Sequence, residues 1–173
     1  MNRTCRHVLL PFVLFCLVII MSFPSAAEEP AHLKADRVIV LKSKKIMMLM
    51  KGSEVLKQYE IALGENPQGH KVRAGDSRTP EGDYVLDGRN PKSRFHRSIH
   101  ISYPNGKDML NAAMLGVPPG GNIMIHGLPN GMGWVGELHA LLNWTDGCIA
   151  VTNEEMDEIW ESVPDGTPIR IEF

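Results

Sequence analysis

The chain has 173 residues, 18 basic against 20 acidic side chains, and a formal net charge of −2. It carries no basic stripe, which excludes nucleic acid as a partner, and its three cysteines are too few for a disulfide framework.

Residues 1–27 have the pattern of a secretory signal. Arg3 and Arg6 make a positive start, residues 8–23 are apolar or nearly so, and Ser25-Ala26-Ala27 sets small residues at a cleavage point before Glu28. Cleavage there leaves 146 residues with 16 basic and 20 acidic side chains, a net charge of −4 and enough chain for one domain with a sizeable core. The alternative is an uncleaved N-terminal anchor, since the apolar run falls only slightly short of a membrane span. Both place the protein in the periplasm or at the cell wall. Cys5 and Cys16 belong to this segment, so Cys148 stands alone in the exported part.

"RVIVL" (37–41), "KIMMLM" (45–50) and "EVLKQYEIAL" (54–63) are separated by the polar turns Lys42-Ser43-Lys44 and Lys51-Gly52-Ser53, which predicts a meander of three antiparallel strands. Residues 64–82 hold Pro67, Gly69, Gly75, Pro80 and Gly82 and read as an extended loop. Strands are expected at 83–87 and 99–103, then a short helix at 107–115 with Met109, Leu110 and Ala113 on one side. "VPPGGN" (117–122) is a rigid turn, and "IMIHG" (123–127) a strand ending at a glycine. Residues 127–144 are glycine-rich loop with a helical turn at 137–142. Thr152 and Glu155 fit a capping box, and Met156, Ile159, Trp160 and Val163 follow at i, i+3, i+4 and i+7 of a helix stopping near Pro164. "TPIRIEF" (167–173) closes the chain as a strand. The expectation is one mainly β, β-rich mixed domain over 37–173, with antiparallel sheets and two or three short helices.

A lone cysteine either packs as a small apolar side chain or serves as a reactive thiol. As a nucleophile it needs a base or a cation nearby, because an ordinary thiol is mostly protonated at neutral pH. Histidine suits that role. Of the six histidines beyond the signal, His126 is placed differently: it ends an apolar strand and is followed at once by Gly127, which permits close approach of backbone or substrate.

"IHG" (125–127) followed by "TDGCIAVTN" (145–153) resembles the catalytic domain of the L,D-transpeptidases of YkuD type, whose signature is His-Gly and then Ser/Thr-His-Gly-Cys, an aliphatic residue, Arg and, after one or two positions, Asn. "TPEGDY" (79–84), "ISYPNGKD" (101–108) and "PPGGNIMIHG" (118–127) extend the similarity over most of residues 37–173. The resemblance implies the YkuD-like fold and a cysteine acyl transferase acting on peptidoglycan stem peptides, with no cofactor and no metal. Cys148 is then the nucleophile, attacking the carbonyl that joins the third stem residue, usually diaminopimelate, to D-alanine. His126 is the base and later the acid, and the Gly127 carbonyl orients it. The N–H groups of Gly147 and Cys148 are candidate oxyanion donors. Thr145, Asp146 and Asn153 are expected on the substrate side. The thioester passes to an amine, giving a cross-link or the attachment of a wall protein, or to water, giving an L,D-carboxypeptidase. A catalytically inactive wall-binding module is the reading from a different class.

Two positions depart from the signature. Asp146 and Ala150 stand where that family carries His and Arg, so a normally cationic face becomes anionic, and a carboxylate beside a thiol raises its pKa. A replacement cation for the substrate carboxylate is sought in "GRNPKSRFHRS" (88–98), with Arg94 and Arg97 as candidates. Trp134 and Trp144, between His126 and Cys148, either anchor the loop or line a cleft, whereas Trp160 is expected in the core. His139 and Asp146 have the His-x6-Asp spacing of zinc peptidases but lack a third ligand in sequence. His96 and His100 fall in a strand-like stretch, which argues against a helical metal pair.

Overall fold

The computed structural model describes Met1 and residues 34–173; the expected signal at 1–27 lies outside the described residues apart from Met1. The unit from His32 to Phe173 is built on one eight-stranded sheet. Its strands are β1 (Arg37–Leu41), β2 (Ile46–Lys51), β3 (Glu54–Glu60), β4 (Gly82–Asn90), β5 (Ser98–Ile101), β6 (Met124–His126), β7 (Ile149–Ala150) and β8 (Thr167–Glu172). Two α-helices, α1 (Gly106–Met114) and α2 (Asn153–Ser162), and 3-10 turns at Lys42–Lys44 and Gly133–Leu141 complete it. Among the described residues no helix is long and apolar enough to cross a membrane.

The strand order is β3-β2-β1-β8-β4-β5-β6-β7. The first three strands form the expected antiparallel meander. The sheet as a whole is mixed, because β8 lies parallel to β1 and β7 parallel to β6. Its two ends meet. Residues just after β3 run beside β7, where Ala62 and Ala150 exchange N–H···O bonds of 3.0 and 2.9 Å, and Thr145 bonds Leu63 and Glu65 through its own backbone at 3.2 and 3.0 Å. The sheet therefore curls toward closure, which satisfies backbone groups that an open edge would expose.

Alternation along the strands fills the interior. Val38 and Val40 of β1, Met47 and Leu49 of β2, Ile99 and Ile101 of β5, and Ile169 and Ile171 of β8 are all buried in one core with Ile125 and Ile149. Met156 and Ile159 of α2, with Val163 at its C-cap, cover it as the periodicity predicts. Trp160 packs only at its edge, with the guanidinium groups of Arg89 and Arg97 at 4.7 and 5.3 Å from its ring.

The apolar side expected for α1 faces solvent instead, with Met109 53% and Leu110 61% exposed. The helix docks through a polar residue: Asp108 is buried, accepts from Tyr84 Oη at 3.0 Å and from its own Asn105 N–H, and pairs with His70 at 3.1 Å. A satisfied buried carboxylate decides which side turns inward, and periodicity cannot see it.

The capping box of α2 is present: Thr152 Oγ1 accepts from Glu155 N–H at 3.2 Å, and Glu155 accepts from Thr152 N–H at 2.8 Å. Replacing Thr152 by Ala is expected to cost about 1 kcal/mol in urea unfolding, with Thr152→Ser close to wild type. Equal losses in both variants would contradict a capping role.

Candidate active site

β6 and β7 lie side by side and parallel with Ile125 opposite Ile149, so alternation puts His126 and Cys148 on the same face, offset by two positions, and both line one cleft. The cleft has a volume of about 620 Å³. Phe95, Trp144, Asn122 and Met124 line it together with Arg94, Asp146 and the His126–Cys148 pair.

His126 is 3% exposed, and its ring forms a cluster with Phe95, 4.5 Å away centroid to centroid, and Trp144 at 5.8 Å, the last two being 6.4 Å apart. Nδ1 donates to the Gly127 carbonyl at 2.7 Å, which fixes the tautomer and leaves Nε2 as the acceptor. A Cβ at Gly127 would come to 2.7 Å from Asn153 Oδ1 and 3.0 Å from His96 Cβ, so a side chain there would displace Asn153. Asn153 is a brace behind this turn: its Oδ1 accepts from Leu128 N–H at 2.9 Å. Burial pulls the imidazole pKa below its ordinary value; the Gly127 bond opposes that, and nearby His139 adds to it. His126 is therefore neutral and able to take a proton.

Cys148 follows Gly147, whose φ of +124° suits glycine, and any side chain at 147 would press within 2.5 Å of the Arg78 carbonyl oxygen. Thr145 ties the turn together. Its hydroxyl accepts from Gly147 N–H at 3.1 Å and donates to the Cys148 carbonyl at 2.7 Å. The Gly147 N–H, expected as an oxyanion donor, is thus engaged by Thr145, and the Cys148 N–H is left as the candidate in this turn. The thiol lies 3.5 Å from the Asn122 carbonyl oxygen. Burial pushes the Cys148 thiol up, the Met124 N–H opposes that, the Asp146 carboxylate adds to it and the Lys71 ammonium opposes it. Both shifts favour the uncharged forms, thiol and imidazole, in this cleft.

The basic stretch 88–98 divides. Arg94 lines the cleft, whereas Arg97 is paired with Asp157 at 3.3 Å and lies over Trp160. Arg89 is bound to Asp165 and to the Trp160 and Val163 carbonyls at the end of α2. Trp134 is 81% exposed and lies outside the cleft lining, where Trp144 takes the aromatic position. Phe95, sandwiched among arginines in the sequence, gave no motif signal, whereas Asn122 and Met124 fall within the stretch 118–127 that resembles the family but were not singled out there. Among the described residues no group of three or more His, Cys, Asp or Glu side chains is arranged to hold a metal ion.

Because Asp146 disfavours the thiolate, Asp146→Asn is expected to lower the midpoint of the pH profile for iodoacetamide alkylation of Cys148, so that alkylation at pH 7 becomes faster. A profile that stays in place or moves to higher pH would contradict this electrostatic assignment.

The model of the L,D-transpeptidase catalytic domain matches residues 35–171. A curated relative named "Putative L,D-transpeptidase YafK", from Escherichia coli (strain K12), is 32% identical over 113 residues, covering 64% of this chain and 38% of that protein. The crystal structure of the helical cell shape determining protein Pgp2 from Campylobacter jejuni superposes with a TM-score of 0.61 at 28% identity, covering 78% of this chain and 46% of Pgp2. The L,D-transpeptidase of Xylanimonas cellulosilytica shares the fold at a TM-score of 0.51 and 18% identity, over 81% of this chain and 61% of that one. The chain spans less than half the length of YafK and of Pgp2. With the family's domain matched over most of its length, the chain belongs to the L,D-transpeptidase catalytic domain family.

Proposed function

We propose that the protein is an exported cysteine acyltransferase that works on peptidoglycan stem peptides, in the periplasm or at the wall. The observation that carries this reading is one cleft holding a cysteine and a neutral histidine whose Nδ1 is committed to a carbonyl. That is the arrangement a thiol nucleophile and its base require. Cys148 Sγ bonds to the carbonyl carbon at the L-centre of the third stem residue while its proton passes to His126 Nε2. The C–N bond to D-alanine breaks, and D-alanine leaves with that proton on its amine. An acceptor amine then attacks the thioester, His126 takes the amine's proton and returns it to the sulfur, and a new amide is formed. Water in place of the amine gives a carboxypeptidase.

The cleft presents a carboxylate, Asp146, and a guanidinium, Arg94. This pairing suits a substrate carrying both an ammonium and a carboxylate, as the free end of a diaminopimelate side chain does. Arg94 makes no ion pair among the described residues, so its charge is available, unlike that of Arg97. Arg94→Ala is expected to raise KM for a stem tetrapeptide several-fold with kcat little changed, and Arg97→Ala to leave KM as in wild type. Equal effects of the two would remove Arg94 from substrate binding.

The reading itself is tested by incubating the protein with a carbapenem and measuring intact mass. A stable adduct is expected on wild type, absent from Cys148→Ala and slowed in His126→Ala. No adduct on a protein whose thiol titrates freely after denaturation would favour the inactive wall-binding module. Product analysis with and without an added amine then separates transfer from hydrolysis.

A further inference from the structure

The turn that presents Cys148 carries an anion, Asp146, and no cation of its own. The loop between β3 and β4, which packs against this turn, carries a buried cation whose charge favours the thiolate. Lys71 is 3% exposed, and its ammonium donates to Asp76 Oδ1 at 2.8 Å and to the Arg73 carbonyl at 3.1 Å. Asp76 is tied further. Its carboxylate accepts the N–H groups of Val72, Arg73 and Arg78 at 2.8, 3.1 and 3.2 Å. Burial works against the carboxylate, yet Lys71 and these three donors hold its pKa below the usual range. A buried ion pair of this kind contributes little net stability, so its geometry is the reason to look for a role.

The knot touches both walls of the thiol's surroundings. On one side Ala74 N–H bonds the Pro118 carbonyl at 2.8 Å, and Gly120 packs on Ala74 and on Lys71 Cε, seating the turn that runs on to Asn122, whose carbonyl faces the Cys148 sulfur. On the other side Ser77 and Arg78 lie with their carbonyls directly against Gly64 and Gly147. Thr79 Oγ1 accepts from Gly64 N–H at 3.2 Å.

We propose that Lys71, locked onto Asp76, is a positioning residue for Cys148: it holds the loop against both walls of the nucleophile turn, and it fixes a positive charge in that loop opposite in sign to the turn's own Asp146. The proposal rests on the reading of Cys148 as nucleophile. The charged and titratable groups around the sulfur are then His126, Asp146 and Arg94, which line its cleft, and Lys71 in the packed loop.

A second buried lysine provides the control. Lys42 braces the same loop from its other end, with Nζ bonded to the Gly69 and Thr79 carbonyls at 2.8 and 2.9 Å and to Glu81 at 2.9 Å. The experiment compares the pH profile of Cys148 alkylation by iodoacetamide in wild type, Lys71→Met, Lys71→Arg and Lys42→Met, each checked for folding by circular dichroism. In Lys71→Met the three backbone donors still hold Asp76, so the loop keeps most of its ties while the cation is lost. The expected result is a midpoint moved to higher pH and alkylation slowed several-fold at pH 7, with the high-pH limiting rate unchanged. Lys71→Arg restores the wild-type midpoint, and Lys42→Met leaves it unmoved. A Lys71→Met profile superimposable on wild type, or an equal shift in Lys42→Met, would overturn the proposal. Alkylation does not depend on the natural substrate. Failure of the wild type to release D-alanine from stem peptides would therefore overturn the transferase reading while leaving the assignment of Lys71 to be judged on its own data.

Discussion

The paired hydrogen bonds between Ala62 and Ala150 are the point at which the curled sheet meets itself, and the site is built at that seam. β7 is only two residues long and is not stable alone. It exists because β6 pairs with it on one side and the backbone after β3 on the other. Cys148 sits one residue before it and inherits its position from both neighbours. The same seam brings Thr145 to Leu63 and Glu65, and the hydroxyl of Thr145 then shapes the turn that carries the thiol. Closure of the sheet and presentation of the Cys148 thiol are thus one structural event.

The electrostatics of the cleft oppose a preformed thiolate. Burial and Asp146 push the thiol toward its protonated form, and burial keeps His126 neutral. On the proposed mechanism proton transfer accompanies attack on a carbonyl, and the charge that then appears on the imidazole has Asp146 in the same cleft. Phe95 and Trp144 pack against the imidazole, which limits its reorientation.

Much of this was legible in the sequence. The three-strand meander, the last strand and the capped helix α2 carry local signals, namely alternation, turn residues and a Thr-x-x-Glu box, which tertiary contacts reinforce. The candidate cysteine and histidine stood out because of their glycine neighbours and their match to a family signature. What escaped depends on contacts between distant segments. β7 is too short for a periodic pattern. α1 turned its polar side inward because Asp108 finds Tyr84 and His70, far away in sequence. Arg94 and Arg97 look alike in the sequence, and only the placement of Asp157 and Trp160 separates them. Trp134 and Trp144 were likewise equivalent until the 3-10 turn at Gly133–Leu141 carried one outward and left the other beside His126. Lys71 and Asp76 lie in a stretch that reads as plain polar loop, and nothing local shows that both are buried.

The central claim is that Cys148 forms a thioester with a stem peptide, and the most direct measurement is the intact mass of the protein, acid-quenched within the first turnovers on a tetrapeptide stem. The account predicts a mass increase equal to the tripeptide acyl group, mapped to Cys148 and matched by an equal amount of released D-alanine. Release of D-alanine with no acyl group on Cys148 at any time, or an intact stem beside an unmodified and folded protein, would contradict it.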